Sequence, residues 1–371
     1  MYYNNEFMRR HFFYFLIIFF LYSCSVFFLN RPILSYTFNP SMVNDFLHSQ
    51  NIFGDVKNRI FVSDEVVYLS SGYLYAKGAL PTEYNFEHPP LLKYLFGYSI
   101  VFFNNPYFVQ ILFALTLLVS VYYFSFRLIN NPTLSMLPPL LLMVDPLFIN
   151  MQKEALLDLG QSTFIFLYYL CLFYAASPIL LGILLGLIAS SKFWSTAVVV
   201  FILGILFDKR RKNRTSYVKS LVVTAITAAL VFSLTYSYVF IQRGGKFNIV
   251  FFQMKILKYM LVHNQTTYWG GSIILFFTGF FKSWWRPFQI MRSHIWSILW
   301  PVILIAPALK HALIRKMGYP ARFTLWFPYI YLFYLGNQLP FARYFIVILP
   351  FSYIIFIYSV SRMCGLIKGR R

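Results

Sequence analysis

After a short basic N-terminus the chain runs apolar from 11 to 30, HFFYFLIIFFLYSCSVFFLN, with no polar alternation. At ~1.5 Å per residue, that length is about enough to cross ~30 Å of hydrocarbon as a helix. No small-residue cleavage site follows, so the segment reads as a retained helix. Further continuous apolar runs lie at 107–127, 133–150, 161–176, 178–190, 193–207, 220–241, 294–309, 323–338 and 343–361. In hydrocarbon only helices and closed barrels satisfy the backbone, and barrel strands would alternate in polarity. The pattern therefore predicts an all-α integral membrane protein. Several runs fall short of the ~20 residues of a standard span, and 178–207 is long enough for one bent helix instead of two, so the expectation is about ten spans, give or take one or two.

Two polar stretches interrupt this pattern, at 31–106 and 242–293. The first holds Asp45, Asp55, Asp64, Glu65, Glu83 and Glu87, six of the 11 acids in the chain, and parts of it are expected to lie as short interfacial helices. Neither stretch is large enough for a substantial core of its own. With no repeat or Gly/Ser linker to divide it, the chain 1–371 reads as a single polytopic domain.

Composition agrees with the pattern: 59% of residues are hydrophobic and 12% charged, with mean hydropathy +0.63. A soluble domain has about a quarter of its residues charged. The formal charge of +21 raises the question of nucleic acid, and the placement of the basic residues answers it. Threaded from a cytoplasmic N-terminus, the inner side receives more than half of the 32 Lys and Arg, concentrated at 208–219, 310–322 and the C-terminal tail, but only Glu6 and Asp208 among the acids. That is the positive-inside signature of a multi-pass protein in the cell membrane, with no call for a nucleic-acid partner. It also puts both polar stretches on the outer face. Cys24, Cys171 and Cys364 sit in or beside apolar runs without metal or redox spacing and read as inert thiols.

Four clusters break the rule that this chain avoids charge. SDEVVY at 63–68 sets Asp64 and Glu65 side by side just past the first span. NFEHPPLLKYLFGYSI at 85–100 places His88 before two prolines, which fix an extended turn, with Lys93 close behind. Such a turn could present an imidazole and an ammonium to a lipid phosphate, and the plain alternative is a loop-to-helix junction with a snorkelling lysine. LLMVDPLFINMQKEALLD at 141–158 gathers Asp145, Lys153, Glu154 and Asp158. Asp145 before Pro146 also suits a helix stop, but ionisable groups near membrane depth are costly and tend to be functional. LIASSKFWS at 187–195 puts Lys192 between two short apolar runs.

Taken in this order and at these separations, the four clusters resemble the protein O-mannosyltransferases, whose membrane core has a GT-C glycosyltransferase fold. That family has a DE pair after its first span, an HPPLxK segment about twenty residues on, a D-x(6)-R-x(3)-LD stretch and then GL-x(3)-SK. HNQTTYW to KSWWRP at 263–287 looks like a shortened form of its His- and Trp-rich outer loop, and QLPFARYF at 338–345 is similar to its Arg-containing approach to the last span. Two departures stand out. Lys153 occupies the usual arginine position, keeping charge but losing a bidentate fork, and the 52 residues of 242–293 leave no room for the soluble domain that eukaryotic members insert. The departures suit an archaeal or bacterial member.

The resemblance implies transfer of a sugar, mannose in the family, from a polyprenyl (dolichyl) phosphate to a Ser/Thr hydroxyl of a protein on the outer face, with inversion. It casts Asp64 as general base and Glu65 as its orienting or acceptor-holding partner. Lys153 and Lys192 would stabilise the leaving phosphate, with His88, Lys93 and Arg343 behind them. Asp145, Asp158, His263, Trp284, Trp285 and Arg286 would shape the acceptor side, although the Trp residues equally suit an interfacial belt. No cofactor is required by this scheme. A divalent metal stays open, because DE pairs bind Mg²⁺ or Mn²⁺ in other glycosyltransferases. A lipid or glycan acceptor is the nearest alternative, and a polytopic transporter the more remote one. A transporter would show repeated halves and midplane charges, whereas these charges gather toward the outer surface. An oligomeric partner is left unspecified by the sequence.

Overall fold

The computed structural model describes residues 5–50, 60–174, 177–208, 214–263, 268–283, 289–309 and 317–366. The chain opens with α1 (Asn5–Leu29), α2 (Arg31–Leu34) and α3 (Ser41–Leu47), and the first polar stretch continues into α4 (Asp64–Ala76) and α5 (Leu91–Phe103). Then come α6 (Tyr107–Ile129), α7 (Pro132–Ser135), α8 (Leu137–Met143), α9 (Pro146–Lys153), α10 (Leu157–Tyr174), α11 (Pro178–Ser191) and α12 (Trp194–Phe207). The second half holds α13 (Arg214–Leu234), α14 (Ser237–Gln242), α15 (Ile249–His263) and α16 (Gly271–Thr278). A small antiparallel hairpin, β1 (Phe280–Lys282) with β2 (Ile290–Arg292), precedes α17 (Leu299–Ala308), α18 (Tyr319–Leu335), a 3-10 segment Ala342–Val347 and α19 (Leu349–Met363).

This is a helical membrane protein. Among the described residues, four helical stretches are long and apolar enough to cross a bilayer: His11–Leu29, Tyr107–Ile129, Leu157–Tyr174 and Thr215–Leu234. The pair Pro132–Met143 and Pro146–Lys153 adds a fifth if it is one span, bent by 58°. Shorter apolar helices at Pro178–Ser191, Trp194–Phe207 and Leu299–Ala308 account for other runs read from the sequence, and a further one, Leu91–Phe103, lies inside the first polar stretch. The stretch 178–207 forms two helices, broken at Lys192 and Phe193. The run 220–241 is likewise divided, between α13 and α14.

Backbone contacts divide the chain into two compact units. One comprises Met1–Arg31, Ala114–Asn150 and Gln265–Arg371, and the other Pro32–Phe113 and Met151–Asn264. In the first unit, Asp145 sits at the bend between α8 and α9 and is almost fully buried. Its Oδ1 accepts the Leu147 N–H at 2.8 Å, and its Oδ2 accepts Trp300 Nε1–H at 2.9 Å and Tyr353 Oη–H at 2.8 Å. One carboxylate thus caps a broken helix and ties it to α17 and α19. In the same unit an apolar cluster joins Ile129, Leu325, Ile355 and Tyr358.

The second unit is built on close backbone approaches. α4 and α5 cross so tightly that a Cβ on Gly97 would stand 1.9 Å from the Gly72 carbonyl oxygen, and one on Gly72 would stand 2.3 Å from that of Lys93. Gly182 and Gly186, one turn apart on α11, bring it against Thr224, Thr227, Ala228 and Val231 of α13 in the small-residue packing common between membrane helices.

Candidate active site

All four charged clusters contribute to the second unit. α4 starts at Asp64 because Ser63, extended at φ −70° and ψ 159°, turns its Oγ back to accept the Val66 N–H at 3.4 Å. Asp64 and Glu65 are therefore the first two helical residues, where the positive end of the helix dipole favours carboxylates by about 0.3–1 kcal/mol. Asp64 is exposed and Glu65 partly buried.

Glu65 reaches across to the turn between α9 and α10. Its Oε1 accepts the backbone N–H of Ala155 at 2.8 Å and the phenol of Tyr107 at 2.7 Å. From one turn further along α6, Gln110 Nε2 donates to the carbonyls of Glu154 at 2.6 Å and Leu156 at 3.0 Å. The turn 154–156 is thus gripped on both its N–H and C=O sides. Lys153 immediately precedes it and is exposed, making no hydrogen bond or ion pair among the described residues. Burial pushes the Glu65 carboxyl above the usual carboxylate range, and Glu154 adds to that push. The Ala155 and Tyr107 hydrogen bonds pull it back.

Past the same turn, Asp158 meets Lys192. Their side chains are buried, with Nζ 2.6 Å from Oδ1, so a residue in the first turn of α10 is tied to the break between α11 and α12. The Lys192 carbonyl in turn lies 3.3 Å from His88 Nδ1. A carbonyl can only accept, which places the proton of this bond on Nδ1. The imidazole is edged by Tyr68 and Phe193, with ring centroids 5.7 and 4.8 Å away.

Lys93 departs from expectation. The sequence reading turned it toward a lipid phosphate, but it is fully buried, and its Nζ donates to Asn85 O at 2.7 Å, Asn85 Oδ1 at 3.0 Å and His88 O at 2.8 Å. Burial pulls its proton affinity well down and Glu87 pulls it up. Three oxygens around one nitrogen favour the ammonium, since none of them can donate to it.

The charges at 141–158 also divide differently than expected. Lys153, Glu154 and Asp158 belong to the second unit, while Asp145 belongs to the first, where its oxygens are taken by Leu147, Trp300 and Tyr353. Arg343 is likewise in the first unit, its guanidinium 4.3 Å from the centre of the Phe341 ring and 5.7 Å from that of Tyr344. His263 ends α15, and its side chain is outside the described residues, as are Trp284, Trp285 and Arg286 altogether. Among the described residues, no three His, Cys, Asp or Glu side chains gather to hold a metal ion.

Tyr107, Gln110 and Asn85 went unnoticed in the sequence reading. Tyr107 and Gln110 are three apart in YFVQILF at the start of a span, so they share a helix face, and that spacing was the only available signal.

Seated on this scaffold, the fold can be compared with known structures. It is similar to ArnT from Cupriavidus metallidurans bound to undecaprenyl phosphate, with TM-score 0.62 and 13% identity, over 91% of this chain and 60% of that one. The apo state of that protein superposes with TM-score 0.61 and 12% identity, over 88% of this chain and 60% of the other. The chain has a GT-C glycosyltransferase fold. It spans three-fifths of the length of these solved chains. No family model and no curated protein matches the sequence. The GT-C part of the resemblance is thereby borne out as a fold; at this identity the likeness does not extend to O-mannosyltransferases in particular.

Proposed function

We propose that the protein is an inverting glycosyltransferase that takes a sugar, mannose by the motif resemblance, from a polyprenyl phosphate and attaches it to a Ser or Thr hydroxyl of a protein on the outer membrane face. The observation carrying this reading is the 2.8 Å bond from the Ala155 N–H to Glu65 Oε1. It joins the N-terminus of α4, which bears an exposed carboxylate, to the turn that follows an exposed lysine. A base and a cation carried on the two segments that this bond joins suit attack of a weak nucleophile on a sugar whose leaving group is a phosphate.

In this reading Asp64 takes the proton of the acceptor hydroxyl, a role that contributes roughly 10²–10⁴-fold. The hydroxyl oxygen bonds to the anomeric carbon from the face opposite the phosphate, and the sugar–phosphate C–O bond breaks with its electron pair going to the phosphate oxygen. Lys153 meets the charge that develops there. Lys192, held by Asp158, supports the phosphate from behind, and Glu65 orients the helix end that carries Asp64. The cations suffice for a leaving group that needs no protonation, so no metal is required. Support for the lipid-phosphate donor comes from the undecaprenyl phosphate bound to the similar ArnT structure.

The test is incubation of membranes containing the protein with radiolabelled polyprenyl-phosphate mannose and, separately, glucose, followed by separation of protein from lipid. Mannose label in protein is the expected result. Label recovered only in lipid or glycan overturns the protein acceptor, and consumption of neither donor overturns mannose and glucose as the transferred sugar.

A further inference from the structure

An ammonium has three N–H donors, and Lys93 spends all three inside the protein, on Asn85 O, Asn85 Oδ1 and His88 O. None remains to be offered to a ligand. The residue that supplies two of the three oxygens, Asn85, holds a left-handed backbone at φ 41°, a conformation that asparagine tolerates better than most residues. The Tyr75 ring closes over the amine, 5.3 Å from Nζ to its centre. Between the two anchor points lie Phe86 and Glu87, and immediately after them the two prolines that lead into α5. The whole turn is therefore drawn onto one buried nitrogen at the first turn of that helix.

What the turn presents is His88. Its carbonyl accepts from Lys93 Nζ at 2.8 Å, while its imidazole Nδ1 lies 3.3 Å from the Lys192 carbonyl and the ring meets Tyr68 and Phe193 edge-on. Lys192 stands where α11 has ended and α12 has not begun, with φ −141° and ψ −62°, outside the helical range. The carbonyl that His88 meets is one of the groups a helix end leaves without an intrahelical partner.

We infer that Lys93 is a positioning residue, which through the 85–88 turn and His88 fixes the helix break and so sets the ammonium of Lys192 against Asp158. The functional half of this inference rests on the polyprenyl-phosphate reading above; the structural half does not. Lys93 then governs phosphate affinity without touching the phosphate.

Hydrogen–deuterium exchange of the full chain in nanodiscs reads the structural half, with Lys93→Met and, as the milder variant, Asn85→Gly. Asn85→Gly keeps the left-handed backbone and leaves no buried charge without its main partners. Exchange is expected to rise at least about fivefold both at 84–90 and at 190–194. Faster exchange at 84–90 alone, or at neither segment, overturns the coupling to Lys192. The functional half is read as affinity for a polyprenyl phosphate in a double-mutant cycle of Asn85→Gly with Lys192→Met. A roughly tenfold loss from Asn85→Gly that shrinks to under about twofold once Lys192 is gone is the expected outcome, and equal losses in both backgrounds overturn it. Should the wild type bind no polyprenyl phosphate, the donor reading fails, and exchange at 190–194 still decides whether Lys93 holds the helix break.

Discussion

The ammonium of Lys192 lies 2.6 Å from the carboxylate of Asp158, and both side chains are withdrawn from solvent. Taking two charges out of water is expensive, and their attraction offsets that only while both are present. Asp158→Ala takes the carboxylate away from a buried ammonium and is expected to destabilise the protein by about 3–5 kcal/mol, read as a large fall in detergent Tm. The double variant Asp158→Leu with Lys192→Met should recover most of the loss, because it removes both desolvation penalties together. A double variant as unstable as the single one would contradict this account.

Glu65 gives a pH signature. Its folded pKa is raised above the unfolded value, chiefly by burial. The native state therefore holds a proton that the unfolded chain has released, and stability falls as pH rises from about 4.3, the ordinary glutamate value, through the folded pKa. Glu65→Gln keeps an acceptor for Ala155 and Tyr107 while removing the charge. Its Tm should equal or exceed that of the wild type at neutral pH, with a flatter profile above pH 4.3. Glu65→Ala should instead lose about 1–3 kcal/mol, having left the Ala155 N–H without an acceptor.

The crossing of α4 and α5 leaves no room for a methyl group. Gly97→Ala would set a Cβ 1.9 Å from the Gly72 carbonyl, and backbone cannot swing aside as a flexible side chain can. Overpacking of this kind costs roughly 1–3 kcal/mol, and separation of the two helices should also expose Lys93. Faster proteolysis of the stretch 31–106 in Gly97→Ala is the expected observation.

Asp145 predicts a different signature. Asp145→Leu leaves the Trp300 indole N–H and the Tyr353 phenol buried without their acceptor, at about 1–3 kcal/mol each. A lowered Tm accompanied by a shift in tryptophan emission would show that the bend between α8 and α9 has relaxed.

The fold class was legible because membrane helices announce themselves by length and continuity, as HFFYFLIIFFLYSCSVFFLN does. The breaks were signalled too, by Pro146 after Asp145 and by the gap between the runs 178–190 and 193–207, but their partners were not. At the bend, Asp145 bonds to Trp300 and Tyr353, and at the separation of α11 from α12, Lys192 pairs with Asp158, contacts that one-dimensional periodicity does not record. The motifs identified which residues to watch, and the structure brought Glu65, Asp158, His88, Lys93 and Lys192 into one unit. It did not leave them equivalent. A lysine that faces a ligand and one that locks a loop look alike in sequence, and only the count of acceptors around Lys93 Nζ separates them from each other. Gly72 and Gly97 were equally silent, since neither lies in a turn and their role is set by a neighbouring helix.

The central claim is that Asp64 acts as base beside a phosphate-facing Lys153. It is tested most directly by measuring sugar transfer under saturating donor for the wild type, Asp64→Asn and Lys153→Met, together with polyprenyl-phosphate affinity. Asp64→Asn should lower kcat by roughly 10²–10⁴-fold with lipid affinity unchanged, whereas Lys153→Met should weaken lipid affinity as well as kcat. Transfer by Asp64→Asn within about threefold of the wild type, where a base should be worth at least ~10², would contradict the account.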